Sequence, residues 1–340
     1  MRVFWMTKEK AGCLYYRCSL PAKFLALAGH EVRIQPEIWQ QDIEWADVVV
    51  FHKPWRKEFL KVYDLVHEND AKVVYDCDDD LLHIPEWNPG HKYWGQRKEM
   101  VETLIREADA VSVSTERLLD CYGQYNGTIT LLPNGLDLDL VNEVKEKELD
   151  LPKGLRHDSV RIGWLGGRGH GHDLSIVTTP LIELAMNADV QIIMVAGVDS
   201  RLFDSLPSDV LVCLDPVPFE QYYDLLWSLK LDIGLAPIEM NEFNLAKSNL
   251  KILEYLAFGA APVCTSFGEY LSFSDGMPGS VWLAKNNSAK EWGYSLMNAM
   301  RALEVRARAG RKGQDVLEES FDMKKNIADW IRFYEQVARN

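Results

Sequence analysis

Short apolar runs alternate with longer amphipathic stretches along the first part of the chain. The runs have the length of buried strands, and the stretches carry apolar residues at helical spacing. We predict strands at Arg2–Met6, Glu31–Ile34, Asp47–Phe51, Lys72–Tyr75, Ala110–Ser114 and Thr128–Leu132. Predicted helices lie at Tyr15–Ala28, Glu58–His67 and Arg97–Glu107. Strands that alternate with helices favour a parallel sheet covered on both faces.

A second series of short apolar runs follows in the second half. We predict strands at Val160–Trp164, Val190–Ala196, Val210–Leu214, Ile233–Ala236 and Ala261–Cys264, each separated by a helical pattern. Between the two series, Val141–Ser159 is rich in charge and poor in apolar periodicity. That segment is typical of a linker or of an exposed helix and turn.

The two series predict an α/β fold of two doubly wound, Rossmann-like domains that face a cleft. We place the first domain at residues 1–145 and the second at residues 146–320. The last helical stretches are Ala289–Ala309 and Lys312–Ala338, and a terminal helix over residues 321–340 can cross back to the first domain. Ligands of open α/β sheets bind outside the carboxyl ends of the strands, so we look for chemistry there.

The bulk composition fits two globular domains and narrows the partners. A chain of 340 residues with 47% hydrophobic residues is long enough to bury two cores. The formal net charge of −14 repels polyanions, which disfavours DNA as a partner. The chain lacks both the apolar run of a signal peptide and the roughly 20 apolar residues of a membrane span. We therefore expect a cytoplasmic protein; the sequence does not indicate its oligomeric state.

The cysteines are scattered without the paired short spacing of a zinc site. They are Cys13, Cys18, Cys77, Cys121, Cys213 and Cys264. Most of them lie in apolar segments, which is typical of small buried side chains. We therefore expect reduced, buried thiols and predict no metal site.

A glycine-rich turn follows the first strand of the second series. It contains Gly166, Gly167, Arg168 and His170, before a helix predicted to begin at about Asp173. Glycines permit close approach of a ligand to the backbone, and a helix N-terminus offers free amides and partial positive charge to phosphate. Arg168 can add a cation and His170 a hydrogen-bond donor. The spacing is not that of the dinucleotide fingerprint, and an ordinary tight turn is the alternative.

A second candidate for phosphate binding lies in the run AKSNLKILEYLAFGAAPV. A helix is predicted to begin near Lys247 or Ser248, where the amides of Ser248 and Asn249 can bind a pyrophosphate and Lys247 supplies charge. Glu254 lies two helical turns beyond Lys247, on about the same face. Its carboxylate can accept hydrogen bonds from both hydroxyls of a ribose. Its apolar neighbours favour this role over a solvated position.

The run KSNLKILEYLAFGAAPV resembles the donor-nucleotide segment of GT-B glycosyltransferases related to family 4, and IGWLGGRGHGHDL resembles the glycine-rich loop of their donor domain. The resemblance implies that the second domain binds a nucleoside-diphosphate sugar, linked to UDP or GDP, as co-substrate without a cofactor or metal. It also implies transfer with a retained anomeric configuration. The implied donor-binding residues are Gly166, Gly167, Arg168, His170, Lys247, Ser248, Asn249, Leu250 and Glu254.

One position departs from the pattern of that family. The family usually carries two glutamates separated by seven residues, and Ala246 occupies the position of the first. We expect Lys247, Glu239 or Glu242 to take over part of its role.

The stretch KEKAGCLYYRCSLPAKFLALAGHEV resembles the acceptor-domain opening of the same enzymes. The resemblance implies that Gly12, Tyr16 and Arg17 face the cleft, together with Asn134 of a Pro-Asn-Gly turn. Arg17 at a helix start is unfavourable to the helix dipole, so a ligand anion or a nearby carboxylate would explain it. For the segment at Asn134, a plain turn is the alternative.

Four carboxylates crowd the end of the fourth predicted strand, namely those of Asp76, Asp78, Asp79 and Asp80. Such crowding is unfavourable unless a cation, an arginine or protonation relieves it. Three interpretations are open: a divalent metal site of the DxD kind, a base or acceptor-orienting carboxylate, and a solvated turn that caps a helix. We favour the second, because the doubled α/β pattern argues against the GT-A class that uses the DxD site. Asp78, Asp79 and Asp80 are then candidate catalytic residues.

His52 follows the third predicted strand and can contact the sugar near the anomeric carbon, although a structural histidine is the alternative. Together these features predict a glycosyltransferase that acts on an unidentified acceptor, a carbohydrate or another hydroxyl compound. The alternatives are a non-catalytic nucleotide-sugar-binding module, a nucleotide-sugar epimerase, and a viral-type glycosyltransferase of hydroxymethylated DNA bases. For the last, Lys53, Arg56 and Lys57 can form a local basic groove.

Overall fold

The computed structural model describes residues 1–167, 171–195, 200–301 and 313–340. Contacts divide the chain into two compact units. The first unit comprises Met1–Asp137, Ala246–Ser248 and Phe321–Asn340, and the second comprises Leu138–Leu245 and Asn249–Ser320. The domain limits predicted at residues 145 and 320 stay a prediction, because a compact unit need not be an independently folding domain.

The first unit contains a six-stranded parallel sheet. Its strands are β1 (Arg2–Met6), β2 (Glu31–Gln35), β3 (Val48–His52), β4 (Lys72–Cys77), β5 (Ala110–Val113) and β6 (Ile129–Leu131). Their order is β2-β1-β3-β4-β5-β6, so the direction of winding changes between β1 and β3. Every residue of β3 is buried, because both faces of a parallel sheet are covered. This burial explains why Val48–Phe51 are all apolar.

Seven helices of the first unit precede the second unit. They are α1 (Ala11–Leu14), α2 (Leu20–Leu27), α3 (Gln40–Trp45), α4 (Glu58–Glu68), α5 (His91–Gly95), α6 (Lys98–Glu107) and α7 (Glu116–Gly123). The single helix predicted at Tyr15–Ala28 is interrupted, because a π-helical turn occupies Tyr15–Ser19 between α1 and α2. Such turns are rare and often occur at functional sites. This one carries Arg17.

The second unit contains another six-stranded parallel sheet. Its strands are β7 (Val160–Leu165), β8 (Val190–Val195), β9 (Leu211–Leu214), β10 (Ile233–Ala236), β11 (Ala261–Thr265) and β12 (Trp282–Ala284). The order β12-β11-β10-β7-β8-β9 is the Rossmann order, with the change of winding between β7 and β10. A Cβ atom at Gly234 would lie 2.2 Å from the Tyr255 ring, so close packing on β10 requires a glycine there.

Along the chain, the helices of the second unit precede, separate and follow these strands. They are α8 (Leu138–Lys145), α9 (Gly171–Asn187), α10 (Tyr222–Ser228), α11 (Glu242–Leu245), α12 (Leu250–Ala257), α13 (Gly268–Gly276) and α14 (Ala289–Arg301). Short 3-10 turns occupy Ser200–Phe203 and Phe219–Gln221. The predicted helix at Ala289–Ala309 corresponds to α14 as far as Arg301. Its remainder, like Ala196 of the predicted strand, lies outside the described residues.

The terminal helix α15 (Met323–Arg339) belongs to the first unit, where it packs against α2. Asp322 caps it by accepting a hydrogen bond from the backbone N–H of Lys324. Its apolar face includes Trp330 and Tyr334, and the Tyr334 ring meets the Trp5 ring edge-on with 5.6 Å between centroids. Burial of this aromatic face against the sheet and α2 holds the helix in place.

None of the helices in the described ranges is both long and apolar enough to cross a membrane. All six cysteines lie in those ranges, and no disulfide joins any two of them. Four are buried, as their apolar sequence neighbours indicate, while Cys213 is exposed and Cys13 is half-buried.

Candidate functional site

Both units place polar residues or glycines where the winding of the sheet changes. In the second unit, β7 and β10 are neighbours, and the chain beyond them contains Gly166 and Glu239. In the first unit, β1 and β3 are neighbours, and β3 leads into Lys53. Ligands of open parallel sheets bind outside the carboxyl ends of strands at such points. Each unit therefore offers one candidate site.

The glycine-rich turn after β7 contains two described glycines with different surroundings. A Cβ atom at Gly166 would lie 2.5 Å from the Trp164 ring, so packing alone already requires a glycine. A Cβ atom at Gly167 would meet no described atom within 4 Å, which leaves room for a ligand beside the backbone. The predicted donor contacts of Arg168 and His170 lie outside the described residues.

The helix that carries Glu254 begins later than predicted. α12 starts at Leu250, with Asn249 as its N-cap residue, so Lys247 and Ser248 precede the helix. The prediction of a helix start at Lys247 or Ser248 is therefore wrong. The argument that Lys247 and Glu254 share a helix face is wrong for the same reason. The amides that this helix start can present to an anion begin at Leu250.

Lys251 connects the first turn of α12 to the glycine-rich turn. Its ammonium group donates a hydrogen bond to the carbonyl oxygen of Leu165, the last residue of β7. The same ammonium lies 5.3 Å from the centroid of the Trp164 ring. These contacts bring the start of α12 beside Gly166, so the two segments predicted to bind phosphate are neighbours. Helix-start amides, a cation and glycines together favour an anion.

Glu254 lies one turn further along α12 and is only 8% exposed. The hydroxyl of Tyr222 donates a hydrogen bond to Glu254 Oε2 at 2.9 Å, which orients the carboxylate. Burial, together with that carboxylate, raises the pKa of Tyr222 well above its usual value, so the hydroxyl stays a donor. Glu254 is thus a buried, oriented carboxylate and not a solvated helix residue.

Glu239 lies beyond β10, next to the first turn of α9. That helix begins at Gly171, two residues before the predicted start at Asp173. The backbone N–H of Glu239 donates to Asp173 Oδ1 at 2.8 Å, and His172 Nε2 lies 3.5 Å from Glu239 Oε1. Glu242 is exposed on α11. Glu239 and Glu242 were both considered as replacements for the family's first glutamate, whose position Ala246 occupies. Of the two, Glu239 is the one that lies at the carboxyl end of the sheet.

Asp76 is the centre of a buried network in the first unit. The register of β3, β4 and β5 places His52 and Ser112 beside it on the neighbouring strands. Asp76 Oδ1 accepts hydrogen bonds of 2.6 Å from Arg17 Nη2 and from Ser112 Oγ, and His52 Nδ1 lies 2.7 Å from Oδ2. Burial acts to raise the pKa of Asp76, but Arg17 and His52 hold it well below its usual range.

Arg17 and Tyr16 do not face an open surface, contrary to the expectation. Arg17 is 0% exposed and Tyr16 is 3% exposed. Besides Asp76, Arg17 contacts the carbonyl oxygen of Leu132 at 2.6 Å and Asn134 Oδ1 at 3.1 Å, with Nη1 as the donor. The anion expected beside Arg17 is therefore a carboxylate of the protein itself. Burial without such a partner would be strongly unfavourable.

Asn134 is buried, and its Nδ2 donates to Ser248 Oγ at 3.2 Å. The hydroxyl of Thr115 donates to the carbonyl oxygen of Ala246 at 3.2 Å. These contacts hold the residues before α12 in non-helical backbone, which explains the late start of that helix. Of the residues predicted to face the acceptor, Tyr16, Arg17 and Asn134 are buried. Gly12 has open space beside it, because a Cβ atom there would meet no described atom within 4 Å.

Two lysines neutralise Asp78 and Asp79. Lys53 Nζ lies 2.6 Å from Asp78 Oδ1 and 2.7 Å from Asp79 Oδ2, and Lys247 Nζ lies 2.5 Å from Asp79 Oδ1. Burial acts to lower the pKa of Lys53, but both carboxylates raise it well above its usual value. Burial acts to raise the pKa of Asp79, but both lysines hold it well below. Cations of the protein thus relieve the carboxylate crowding.

Asp80 forms its hydrogen bonds with other residues. It is 0% exposed, and its Oδ1 accepts a hydrogen bond of 3.0 Å from the backbone N–H of Leu82. Its Oδ2 lies 2.8 Å from His83 Nδ1. Asp80 therefore shapes the loop after β4, which corrects its assignment as a catalytic residue beside Asp78 and Asp79.

His52 lines a pocket of about 270 Å³ at the carboxyl ends of β1 and β3. Its Nδ1 is held by Asp76. Its Nε2 makes no hydrogen bond to any described residue and lies 3.7 Å from Asp78 Oδ1. Other charged and aromatic residues that line the pocket are Lys8, Glu9, Lys53, Trp55, Arg56, Glu58 and Phe59. The His52 side chain is itself 0% exposed, so the pocket offers a polar ligand its charged side chains and its aromatic surface.

Sequence reasoning missed three residues that complete these sites, namely Ser112, Tyr222 and Lys251. Ser112 occupies the position on β5 that Asp76 occupies on β4, so a polar residue in an apolar strand was the available signal. Lys251 lies in the run that resembles a donor segment, close to the residues assigned there. Nothing in the sequence around Tyr222 indicates its contact with Glu254.

No family model matches the chain, and no curated protein matches it. Solved structures match nearly its whole length. A glycosyltransferase from Rickettsia africae ESF-5 has a TM-score of 0.73 at 12% identity, with 100% of this chain and 99% of that chain covered. Sucrose-phosphate synthase from Thermosynechococcus elongatus has a TM-score of 0.71 at 13% identity, with coverage of 99% and 98%. Anabaena Alr3699/HepE in complex with UDP and glucose has a TM-score of 0.73 at 11% identity, with coverage of 99% and 100%.

Similarity at this level of identity shows the fold. The chain has the GT-B fold, with two Rossmann-like units that are each built on a six-stranded parallel sheet. The fold class expected from the resemblance is thereby confirmed. The closer relation to family 4 stays a prediction.

Proposed function

We propose that the protein is a glycosyltransferase that transfers a sugar from a nucleoside-diphosphate sugar to an acceptor hydroxyl. The contact between Lys251 and Leu165 carries the proposal, because it brings the start of α12 beside the glycine-rich turn after β7. One site then offers amides and a cation to a diphosphate, and the carboxylate of Glu254 to a ribose. Glycosyltransferases of the same fold support this assignment, and HepE has UDP and glucose bound.

Each part of the donor has a proposed partner in the second unit. The amides that follow Asn249 and the backbone at Gly167 bind the diphosphate. Lys251 supplies the positive charge that was expected from Lys247. Glu254 accepts hydrogen bonds from both ribose hydroxyls, while Tyr222 fixes the orientation of its carboxylate. The nucleotide is UDP or GDP in this proposal.

The acceptor binds in the pocket of the first unit that His52 and Trp55 line. With its Nδ1 proton directed at Asp76, His52 keeps Nε2 as a hydrogen-bond acceptor. Nε2 is buried, so binding of the acceptor must open a path to it before His52 can orient the hydroxyl. The hydroxyl oxygen bonds to the anomeric carbon, the bond from that carbon to the diphosphate oxygen breaks, and the leaving diphosphate takes the hydroxyl proton. Retention of configuration follows the resemblance. Lys251 and the helix-start amides stabilise the charge on the diphosphate.

Release of nucleoside diphosphate from a panel of UDP- and GDP-sugars, with and without candidate acceptors and EDTA, tests this proposal. We expect one donor to turn over without added metal. Glu254→Ala should lower kcat/KM at least about tenfold, because it removes hydrogen bonds to a charged group. Glu183→Ala, at an exposed position of α9, is the matched control and should leave kcat/KM unchanged. Strict dependence on a divalent ion, or no turnover of any donor, would refute the proposed chemistry.

The same panel separates the alternatives. Donor binding without turnover would identify a non-catalytic module, and conversion of the sugar without an acceptor would identify an epimerase. DNA that contains hydroxymethylated bases belongs in the acceptor panel. The net charge of −14 argues against DNA, so we expect transfer to carbohydrate or another small hydroxyl compound.

A further inference from the structure

Three potential metal ligands lie together in the first unit. They come from Asp80 and His83 in the loop after β4 and from Cys121 on α7, and one donor atom of each lies within 4.8 Å of the other two. His83 Nδ1 lies 2.8 Å from Asp80 Oδ2. Cys121 Sγ lies 3.9 Å from His83 Nδ1 and 4.0 Å from Asp80 Oδ1. We propose that this set binds a divalent transition-metal ion, with Zn²⁺ as the best fit.

The donor set and its spacing support this choice of ion. Zinc binds thiolate, imidazole and carboxylate ligands at about 2.0–2.3 Å, so its tetrahedral ligand atoms lie about 3.3–3.6 Å apart. The distances to Cys121 Sγ exceed that range by a few tenths of an ångström, and the 2.8 Å between His83 Nδ1 and Asp80 Oδ2 falls about half an ångström short of it. Small side-chain rotations can bring all three into the range. Calcium and magnesium prefer oxygen ligands, so a thiol and an imidazole disfavour them.

A second group of potential ligands, Cys13 with Asp78 and Asp79, does not support the same proposal. The ammonium of Lys53 lies within 2.7 Å of a carboxylate oxygen of each aspartate and occupies the position of a cation. A divalent ion there would be repelled by that ammonium. The Asp80 group is therefore the better site among the described residues.

The proposed site has three protein ligands and leaves one coordination position open. Asp80 and Cys121 are 0% and 5% exposed, so their attraction to a cation is little weakened by water. The His83 side chain is 34% exposed, which leaves a path to solvent. A water molecule can enter by that path and complete the tetrahedron as the fourth ligand.

Binding of the ion requires one proton to leave. The Cys121 thiol releases its proton to solvent and becomes the thiolate ligand, while neutral His83 binds through Nδ1 and keeps its proton on Nε2. The hydrogen bond from Leu82 to Asp80 already orients the carboxylate. The ion then links the loop after β4 to α7, because Asp80 and Cys121 are 41 positions apart in the chain. Metal affinity should therefore rise with pH, and bound metal should stabilise the fold.

Titration of the reduced, metal-free full-length protein with Co²⁺ tests the proposal, because cobalt substitutes for zinc and has a visible spectrum. We expect one equivalent of Co²⁺ to produce the intense visible bands of a tetrahedral site and a thiolate-to-cobalt charge-transfer band. Cys121→Ser should abolish the charge-transfer band. His83→Gln should weaken binding by at least about a hundredfold, because loss of a partner beyond the direct ligands already costs about 10–100-fold.

Matched controls separate this site from other groups. His67→Gln removes a histidine that also pairs with a carboxylate, Asp109, and Cys213→Ser removes an exposed thiol; both should bind Co²⁺ like the wild type. If Cys121→Ser does not fold, His83→Gln at its partly exposed position decides the test, with circular dichroism as the check of folding. The proposal is overturned by an octahedral spectrum without a thiolate band, or by a band that Cys13→Ser abolishes. Cobalt binding is scored apart from nucleotide turnover, so either proposal can fail alone.

Discussion

Lys247 Nζ lies 2.5 Å from Asp79 Oδ1, although 168 positions of the chain separate the two residues. The segment Ala246–Ser248 belongs to the first unit, while the helix that follows it belongs to the second. A lysine assigned to the donor from its sequence position is thus engaged by the acidic loop after β4. Lys251, and not Lys247, lies beside the glycine-rich turn and can supply the charge that was expected of Lys247.

Loss of Arg17 should destabilise the first unit strongly. Arg17→Ala leaves the buried carboxylate of Asp76 without its guanidinium partner, and breaking a buried pair in this way typically costs about 3–5 kcal/mol. Native-state hydrogen exchange of the β3 and β4 amides measures this loss in the intact chain. The control is Arg332→Ala, which breaks an exposed pair with Asp329 and should cost about 0–1 kcal/mol. Equal losses in the two variants would contradict the buried network.

Acid should destabilise the first unit through Asp76 and Asp79. Both carboxyl groups have a lowered pKa in the folded chain. Above the unfolded value of about 3.9 they are ionised in both states, so their stabilising contribution is complete. Below it, the unfolded chain binds protons first, and the free energy of unfolding falls as pH falls towards the folded pKa values. Exchange-derived stability between about pH 5 and pH 3 measures the slope.

A carboxylate-to-amide change separates this effect from general acid denaturation. Asp79→Asn removes one of the two titrating groups and should make the fall in stability with decreasing pH shallower. Asp329→Asn, at an exposed position of α15, should leave the slope as it is in the wild type. A wild-type slope in Asp79→Asn would show that the lysines do not hold that carboxylate ionised.

Cys13 should resist alkylation. The carboxylate of Asp78, with burial, raises the pKa of the Cys13 thiol to about 12, which leaves only about one thiol in ten thousand ionised at pH 8. Iodoacetamide should therefore modify exposed Cys213 well before Cys13, as followed by peptide mass spectrometry. Asp78→Asn removes the main cause and should speed the modification of Cys13 at least about tenfold. Modification of Cys13 as fast as Cys213 in the wild type would disprove the raised pKa.

Gly234 should not tolerate a methyl group. The Cβ atom of Gly234→Ala would lie 2.2 Å from the Tyr255 ring, and overpacking of this kind costs about 1–3 kcal/mol or more. Gly276→Ala is the control, because a Cβ atom there meets no described atom within 4 Å and should change stability by less than about 1 kcal/mol. Hydrogen exchange of the β10 and β11 amides reports the difference. Comparable stabilities would mean that the sheet relaxes around the ring.

The strands were predictable because parallel strands buried on both faces are continuous apolar runs. The first run of the second series, predicted at Val160–Trp164, is β7 at Val160–Leu165. By contrast, the strand Trp282–Ala284 was not predicted, although it is as long as β6, which was. The π-helical turn at Tyr15–Ser19 was hidden because apolar spacing alone does not distinguish it from an α-helix.

The sequence predicted which residues follow the strands, but it did not predict how they pair. The glycines and carboxylates predicted to follow strands do lie beyond the carboxyl ends of strands in both sheets. The pairings of Lys247 with Asp79 and of Ser248 with Asn134 join positions 168 and 114 residues apart, and local pattern carries no information on such contacts. The same limit concealed Cys121 beside Asp80, since the spacing of the cysteines shows only local metal motifs.

The proposed donor site on α12 is tested by comparing the binding of UDP and GDP with that of their 2′-deoxy forms by calorimetry. For wild-type protein the deoxynucleotide should bind about tenfold to a hundredfold more weakly, because a hydrogen bond to the Glu254 carboxylate contributes about 1.5–3 kcal/mol. In Glu254→Ala the two forms should bind alike, and Glu183→Ala should retain the wild-type difference. Equal binding of both forms by the wild type, or a difference that persists in Glu254→Ala, would contradict a donor site on α12.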